Sequence, residues 1–134
     1  HHVLIVDDSP TARALLSSRL RRYNFRVSLA ESGAKAIEIL KANPDIGLVV
    51  TDYNMPDIDG FELTRRIRAV RGSHELRIIG VSSSTNRLLS ARFLKVGGND
   101  FMLRPFIDEE FYCRVNQNLD TLAQIRSAQF KMAG

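Results

Sequence analysis

Disulfide chemistry is closed to this chain, because its 134 residues include a single cysteine, Cys113. A lone thiol cannot pair internally and fits a reducing compartment, so a cytoplasmic location is expected. Long apolar runs are also missing. None approaches the roughly 18–20 residues that cross a bilayer, and no secretory signal is recognisable, so no membrane role is expected. The first apolar run is not followed by a glycine-rich G-x-G-x-x-G cradle, which disfavours a flavin or nucleotide site. Internal repeats, low-complexity segments and a helix-turn-helix pattern are absent too. Charge is not gathered in one place. Nineteen Lys and Arg against fifteen Asp and Glu leave a formal charge of +4. The arginines, among them Arg13, Arg19, Arg21, Arg22, Arg65, Arg66, Arg68 and Arg71, are dispersed as on solvated helix faces. No direct nucleic-acid partner is expected from that pattern.

What is present describes one globular domain. Hydrophobic residues make up 44% of the chain and charged residues 25%, ordinary values for a sequence that buries one core. The chain opens on His1 and His2 without a methionine. These two are read as a tag remnant or an excised edge, outside the fold. His74 is read as a solvated surface residue.

Val3 to Val6 is a short β-branched run suited to a strand buried on both faces. It leads into Asp7-Asp8-Ser9-Pro10, where Ser9 can cap a helix and Pro10 can occupy its first position. Ala12, Leu16, Leu20 and Tyr23 follow at helical spacing. Arg26 to Ala30 reads as a second strand, and Ser32-Gly33 opens a helix with Ala36, Ile37 and Leu40 on one face. Ile46 to Thr51 is a third strand, ending in Asp52. A turn-rich loop then reaches Asp59, a cap for a helix carrying Leu63, Ile67 and Val70. Leu76 to Val81 is a fourth strand leading to Ser82 and Ser83. A helix with Leu88, Leu89, Phe93 and Val96 stops at Gly97-Gly98, where a left-handed turn is expected. Asp100 to Leu103 is a fifth strand, followed by Arg104-Pro105 and a last helix beginning at Asp108-Glu109-Glu110. Its stripe of Phe111, Val115, Leu119, Leu122 and Ile125 is longer than one small sheet needs. Beyond Ile125 it either frays or starts a connector, with Lys131 to Gly134 expected to be unstructured. Alternating strands and helices define an α/β open sheet with helices on both faces.

In such sheets ligands bind beyond the carboxyl ends of the strands. Asp7, Asp8, Asp52, Ser82 and Arg104 all fall there. Clustered carboxylates raise one another's pKa values unless a cation relieves the repulsion. Mg²⁺ suits an all-oxygen pocket with room for water and phosphate, whereas Zn²⁺ would call for His or Cys. An Asp carboxylate can itself become an aspartyl-phosphate, with Ser82 and Arg104 holding the phosphoryl oxygens. Taken singly, each residue has a plain structural use: Asp7-Asp8 as caps, Asp52 as a turn opener, Ser82 as a strand-end hydroxyl. Their joint placement is what carries the signal.

Several ordered motifs resemble the receiver domain family of two-component response regulators, from Val3 to about Leu119. They are Leu4-Ile5-Val6-Asp7-Asp8-Ser9, Val49-Val50-Thr51-Asp52-Tyr53-Asn54-Met55-Pro56, Asp59-Gly60-Phe61-Glu62, and the stretch Gly97 to Phe106. The resemblance implies a flavodoxin-like (βα)₅ sheet of order 2-1-3-4-5, with a receiver domain over residues 3–125. Residues 126–134 would end the last helix or start a linker to an output domain outside this chain. The resemblance makes Asp52 the phosphoacceptor. Asp8 and Asp52 become direct Mg²⁺ ligands, Asp7 acts through water, and Asn54 contributes its backbone carbonyl. Ser82 and Phe101 become the hydroxyl and aromatic members of a switch. That switch remodels the face formed by the fourth helix, fifth strand and fifth helix, where a second subunit can dock. The implied donor is the phosphohistidine of a sensor histidine kinase or a histidine phosphotransfer protein. Such a domain modifies its own aspartate and hydrolyses the product slowly, so it is not a turnover enzyme on a small substrate.

One position departs from the family pattern. Arg104 stands where the family has Lys, and a planar two-headed guanidinium is not equivalent to a compact ammonium. The departure leaves a working site with altered kinetics, or an alternative in which the fold serves as a phosphorylation-independent interaction module. The resemblance also implies a cis peptide between Arg104 and Pro105.

Overall fold

The computed structural model describes residues 1–133. Its elements run β1 (His2–Val6), α1 (Pro10–Arg21), β2 (Arg26–Ala30), α2 (Gly33–Ala42), β3 (Ile46–Asp52), α3 (Gly60–Arg68), β4 (Arg77–Ser82), α4 (Arg87–Lys95), β5 (Asp100–Leu103) and α5 (Asp108–Ala133). The strands form one sheet of order β2-β1-β3-β4-β5, and every pairing is parallel. This is the expected flavodoxin-like (βα)₅ arrangement.

The continuous apolar runs of β1, β3 and β4 occupy the three central places because both of their faces are covered. Residues of opposite parity enter two separate cores. Val3, Ile5, Leu48, Val50, Ile79 and Val81 pack with Leu16 and Leu20 of α1 and Phe111, Val115 and Leu119 of α5. Leu4, Val6, Val49 and Ile78 face the other way, against Ala36 and Leu40 of α2, Leu63 and Ile67 of α3, and Phe93 of α4. Each such aliphatic side chain contributes about 1.5–3 kcal/mol by leaving water. The edge strand β2 is more polar and more exposed, as its position requires.

Side-chain caps set the helix starts. Ser9 Oγ accepts from the Ala12 N–H at 3.2 Å, with Pro10 in the first helical position. Ser32, Asp59 and Asn86 cap α2, α3 and α4 in the same way. Gly97 ends α4 with φ of +113°, the left-handed turn read from its sequence. There the Arg68 guanidinium donates to the carbonyls of Gly97, Leu76 and Arg71 and to Asn99 Oδ1, tying α3 to the end of α4 and the start of β4. Burial, with Arg77 and Arg71 nearby, pulls its pKa down to about 10.

Several expectations need correction. His2 does not lie outside the fold but is the first residue of β1, only 6% exposed. Both ring nitrogens are held, Nδ1 against Asp45 at 2.9 Å and Nε2 against Ser28 Oγ at 2.7 Å, which makes its burial affordable. Tyr23 lies past the end of α1 and stacks on Tyr112 rather than entering the core. Val70 lies past α3 and Leu88 on the outer side of α4, both largely exposed. Helical periodicity located those faces without locating the neighbour that covers them. The last helix does not fray at Ile125. With no Gly or Pro between Asp108 and Ala133 it continues unbroken for 26 residues, about 39 Å. It outruns the sheet, leaving Phe130 exposed. The expected loss of structure from Lys131 is overturned as far as Ala133, and Gly134 lies outside the described residues. His74 is exposed, as expected.

The Phe93 ring is confined by Gly80, Gly98 and Phe101. A methyl group at residue 98 would collide with that ring. Gly98→Ala is expected to destabilise the domain by about 1–3 kcal/mol. Urea unfolding followed by far-UV circular dichroism checks this as a lower midpoint at unchanged slope.

Candidate functional site

The parallel register brings four strand ends to one edge. Val6 pairs with Thr51, Asp52 with Val81, and Ser82 with Leu103. Asp7, Asp52, Ser82 and Arg104 therefore emerge side by side. The backbone continues this order into the loops, with Tyr53 N–H donating to Val81 O and Arg104 N–H to Ser82 O.

Asp7 is 2% exposed and fully engaged. Its Oδ1 accepts from the Ser9 N–H at 2.9 Å, and its carbonyl accepts from Arg13 at 2.7 Å. Asp8, one residue further, is exposed and makes no side-chain hydrogen bond or ion pair among the described residues. One carboxylate oxygen from each of Asp7, Asp8 and Asp52 lies within 4.8 Å of the others. The Arg104 guanidinium closes the group, with Nη2 2.8 Å from Asp7 Oδ2 and Nη1 3.3 Å from Asp52 Oδ1. The Arg104-Pro105 peptide is cis, as the resemblance implied.

Desolvation and the neighbouring Asp7 charge, with a smaller part from Asp8, hold the Asp52 carboxyl above its ordinary pKa. Arg104 and the Asn54 backbone N–H oppose that shift without cancelling it. The donor set is all oxygen and anionic, without a histidine or cysteine, so it fits a hard divalent cation such as Mg²⁺. Asp7, Asp8, Asp52 and the adjacent Asn54 backbone are the groups that could hold one.

Other site residues fall into place with different partners. Ser82 is fully buried, and its Oγ accepts from the Ser84 N–H at 3.0 Å, so the hydroxyl is turned onto its own loop. Asn54 is exposed on the loop after β3. Phe101 is half-buried, its ring centroid 5.6 Å from that of Phe93. The aromatic contacts continue through Phe61 to Tyr53, beside Asp52. That row was not anticipated, since its four members come from four segments with no shared periodicity.

Asp57 was also missed as anything but a loop residue. Its carboxylate accepts from the N–H groups of Gly33 and Ala34, tethering the acceptor loop to the start of α2. Desolvation is the largest single influence and acts to raise its pKa, but the backbone hydrogen bonds from Ala34, Ile58 and Gly33 together prevail and hold it below the ordinary value. Arg13 supports the carbonyl of Asp7, a contact that helical spacing alone could not reveal.

Together these features define a doubly wound α/β domain with an acidic, cation-capped pocket at its topological switch point. The response regulator receiver domain model matches residues 3–116. The two-component response regulator ORR5 of Oryza sativa subsp. japonica is 38% identical over 104 residues, 78% of each chain. A solved two-component system response regulator/GGDEF domain protein is 45% identical with a TM-score of 0.88, covering 91% of this chain. This chain spans 50% of that protein's length. A CheY-like receiver domain protein from Methanospirillum hungatei JF-1 shares the fold, with a TM-score of 0.84 at 20% identity over 92% of this chain and 96% of the other. The chain belongs to the response regulator receiver domain family of two-component signalling. No helix among the described residues is long and apolar enough to cross a membrane.

Because the folded pKa of Asp52 lies above its ordinary value of 3.8, the folded protein binds more protons than the unfolded chain just above that value. Stability therefore falls as pH rises through this window and stays lower above it. In EDTA, Asp52→Asn is expected to stabilise the fold at pH 7 by on the order of 1 kcal/mol. The difference should shrink toward zero well below the ordinary aspartate value, and urea titrations at about pH 2.5 and pH 7 check both.

Proposed function

We propose that the domain accepts a phosphoryl group on Asp52 from the phosphohistidine of a sensor histidine kinase or a histidine phosphotransfer protein, with Mg²⁺ as cofactor. The observation that carries this reading is the convergence of Asp7, Asp8 and Asp52 oxygens within 4.8 Å at the strand ends. Asp8 and Asp52 would hold the ion directly, Asp7 through water, and Asn54 through its backbone carbonyl. When bound, it supplies positive charge to the transferring phosphoryl oxygens.

An Asp52 oxygen attacks phosphorus while the P–N bond to the donor imidazole breaks. The departing nitrogen keeps the electron pair and takes up a proton. Arg104, already 3.3 Å from Asp52 Oδ1, is placed to donate to one phosphoryl oxygen. The Ser82 hydroxyl would leave Ser84 N–H and move inward, toward the phosphoryl group, to donate to another. Hydrolysis reverses the state: water attacks phosphorus, the P–O bond to Asp52 breaks, and carboxylate and inorganic phosphate are released.

Movement of Ser82 frees space beside Phe101, whose ring packs on Phe93 of α4. The readout is then a change in the α4-β5-α5 face, where Leu88 and Leu103 are exposed and a second copy could dock. Residues 3–125 would form the receiver domain and residues 126–134 the start of a connector to an output domain. The 45%-identical relative, itself a response regulator/GGDEF domain protein about twice as long, supports this. The setting of such a relay is the cytoplasm.

Incubation with radiolabelled acetyl phosphate tests the acceptor. Labelling that requires Mg²⁺ and disappears in Asp52→Asn is the expected result. A folded, Mg²⁺-binding protein that takes up no label would favour the phosphorylation-independent interaction module instead. Ser82→Ala is expected to slow labelling by roughly tenfold to a hundredfold while leaving Mg²⁺ affinity unchanged. Stopped-flow tyrosine fluorescence would separate the two effects.

A further inference from the structure

Val70 is 78% exposed although it follows α3 at the spacing of a core residue. It borders a groove of about 240 Å³ between α2 and α3, whose walls also include Ile37, Leu40 and Ile67 together with Lys41, Arg66 and Arg71. No acidic residue lines it among the described residues. The cations are incompletely paired with the protein's own carboxylates. The Lys41 ammonium has no hydrogen-bond or ion-pair partner among the described residues. Arg71 is held in place by Nη2, which donates to the carbonyls of Ile46 at 3.0 Å and Pro44 at 3.3 Å. Its Nη1 is buried without a hydrogen-bond partner, and its Nε is 3.9 Å from Glu75. Arg66 has a closer acidic partner, Glu62 at 3.0 Å. Basic residues in a last helical turn also offset the helix dipole, but that role asks for no aliphatic groove between them.

We propose that this groove docks an acidic amphipathic helix of a partner protein, with its aliphatic anchors on Ile37, Ile67 and Val70 and its carboxylates on Lys41 and Arg71. Anchors at i and i+3 or i+4 of a helix suit an aliphatic recess between two helices. Flanking Asp or Glu suits a lining that is cationic and free of acids. Other occupants fit less well. The lining holds no aromatic ring on which a nucleic-acid base could stack. A bilayer takes up a projecting apolar face rather than a recess. A second copy's α4 would bring Leu88 and Leu94 together with Arg87, Arg92 and Lys95, whose charges repel those of the groove. The groove lies toward the C-terminal ends of α2 and α3, at the opposite end of the strands from Asp52, so docking leaves the acidic pocket open.

Fluorescence anisotropy tests this on the whole chain with a fluorescein-labelled helical peptide. The probe carries Leu at i, i+3, i+4 and i+7, with Glu and Ala at its other positions. Saturable binding is expected, weakened by about tenfold or more in Val70→Asp and in Lys41→Glu, the loss that goes with one interface anchor. Both positions are exposed, and circular dichroism verifies the fold of each variant. Binding should also weaken as NaCl rises, and ¹⁵N-resolved amide shifts should centre on Lys41 and Val70. No saturable binding, or equal affinity for a peptide with Lys in place of Glu, would overturn the proposal. So would binding that both variants leave intact. Self-association in sedimentation velocity that Val70→Asp abolishes would assign the groove to a second copy instead. Binding to phosphatidylglycerol vesicles that Lys41→Glu abolishes would assign it to a membrane. Either result overturns the helix as occupant.

Discussion

Three carboxylates set within 4.8 Å of one another at the edge of a buried sheet repel, and the fold has to hold that repulsion in place. It does so with cations and dipoles supplied by other segments. Arg104 comes from the end of β5 and bridges Asp7 and Asp52, while Ser9 N–H and Asn54 N–H each take a carboxylate. The compensation is incomplete, because burial and the Asp7 charge push the Asp52 carboxyl up further than Arg104 pulls it down. An acidic pocket left partly unneutralised is the condition that the proposed cation site requires. Removing one partner would leave buried charge unpaired, so the strand ends must stay in register for the pocket to persist.

That register depends on a sheet whose central strands are apolar on both faces. A one-residue slip in β3 would exchange the residues that meet α1 and α5 with those that meet α2, α3 and α4. It would also move Asp52 away from Asp7. Packing on each face therefore doubles as alignment of the site. Arg68 does comparable work at the opposite end of the strands, satisfying backbone carbonyls that follow α3 and α4 and precede β4. Gly98 and Gly80 let Phe93 sit close to the sheet, and Phe101 rests against that ring.

Much of this was legible beforehand because it is written in local patterns. Val3 to Val6 and Ile46 to Thr51 read as buried strands from composition alone. Ser9, Ser32 and Asp59 cap the helices assigned to them. His2 went unread because its burial depends on Asp45 and Ser28, which are remote in sequence and adjacent only through pairing of β1 with its neighbours. Val70 and Leu88 have the spacing of core residues but lack a covering element. Asp57 looks like any loop aspartate until α2 is brought against it.

Local patterns in the chain settle the order and type of the elements, the parallel α/β class and the residues at the strand ends. Those follow from periodicity, capping chemistry and ordered motifs, which act over a few residues. Packing of distant segments brings Arg104 to both Asp7 and Asp52, turns Ser82 onto Ser84, and sets Tyr53, Phe61, Phe93 and Phe101 in one row. Contacts between side chains 52 and 97 residues apart depend on the packed sheet, because separation along the chain carries no information about a distance of 3 Å.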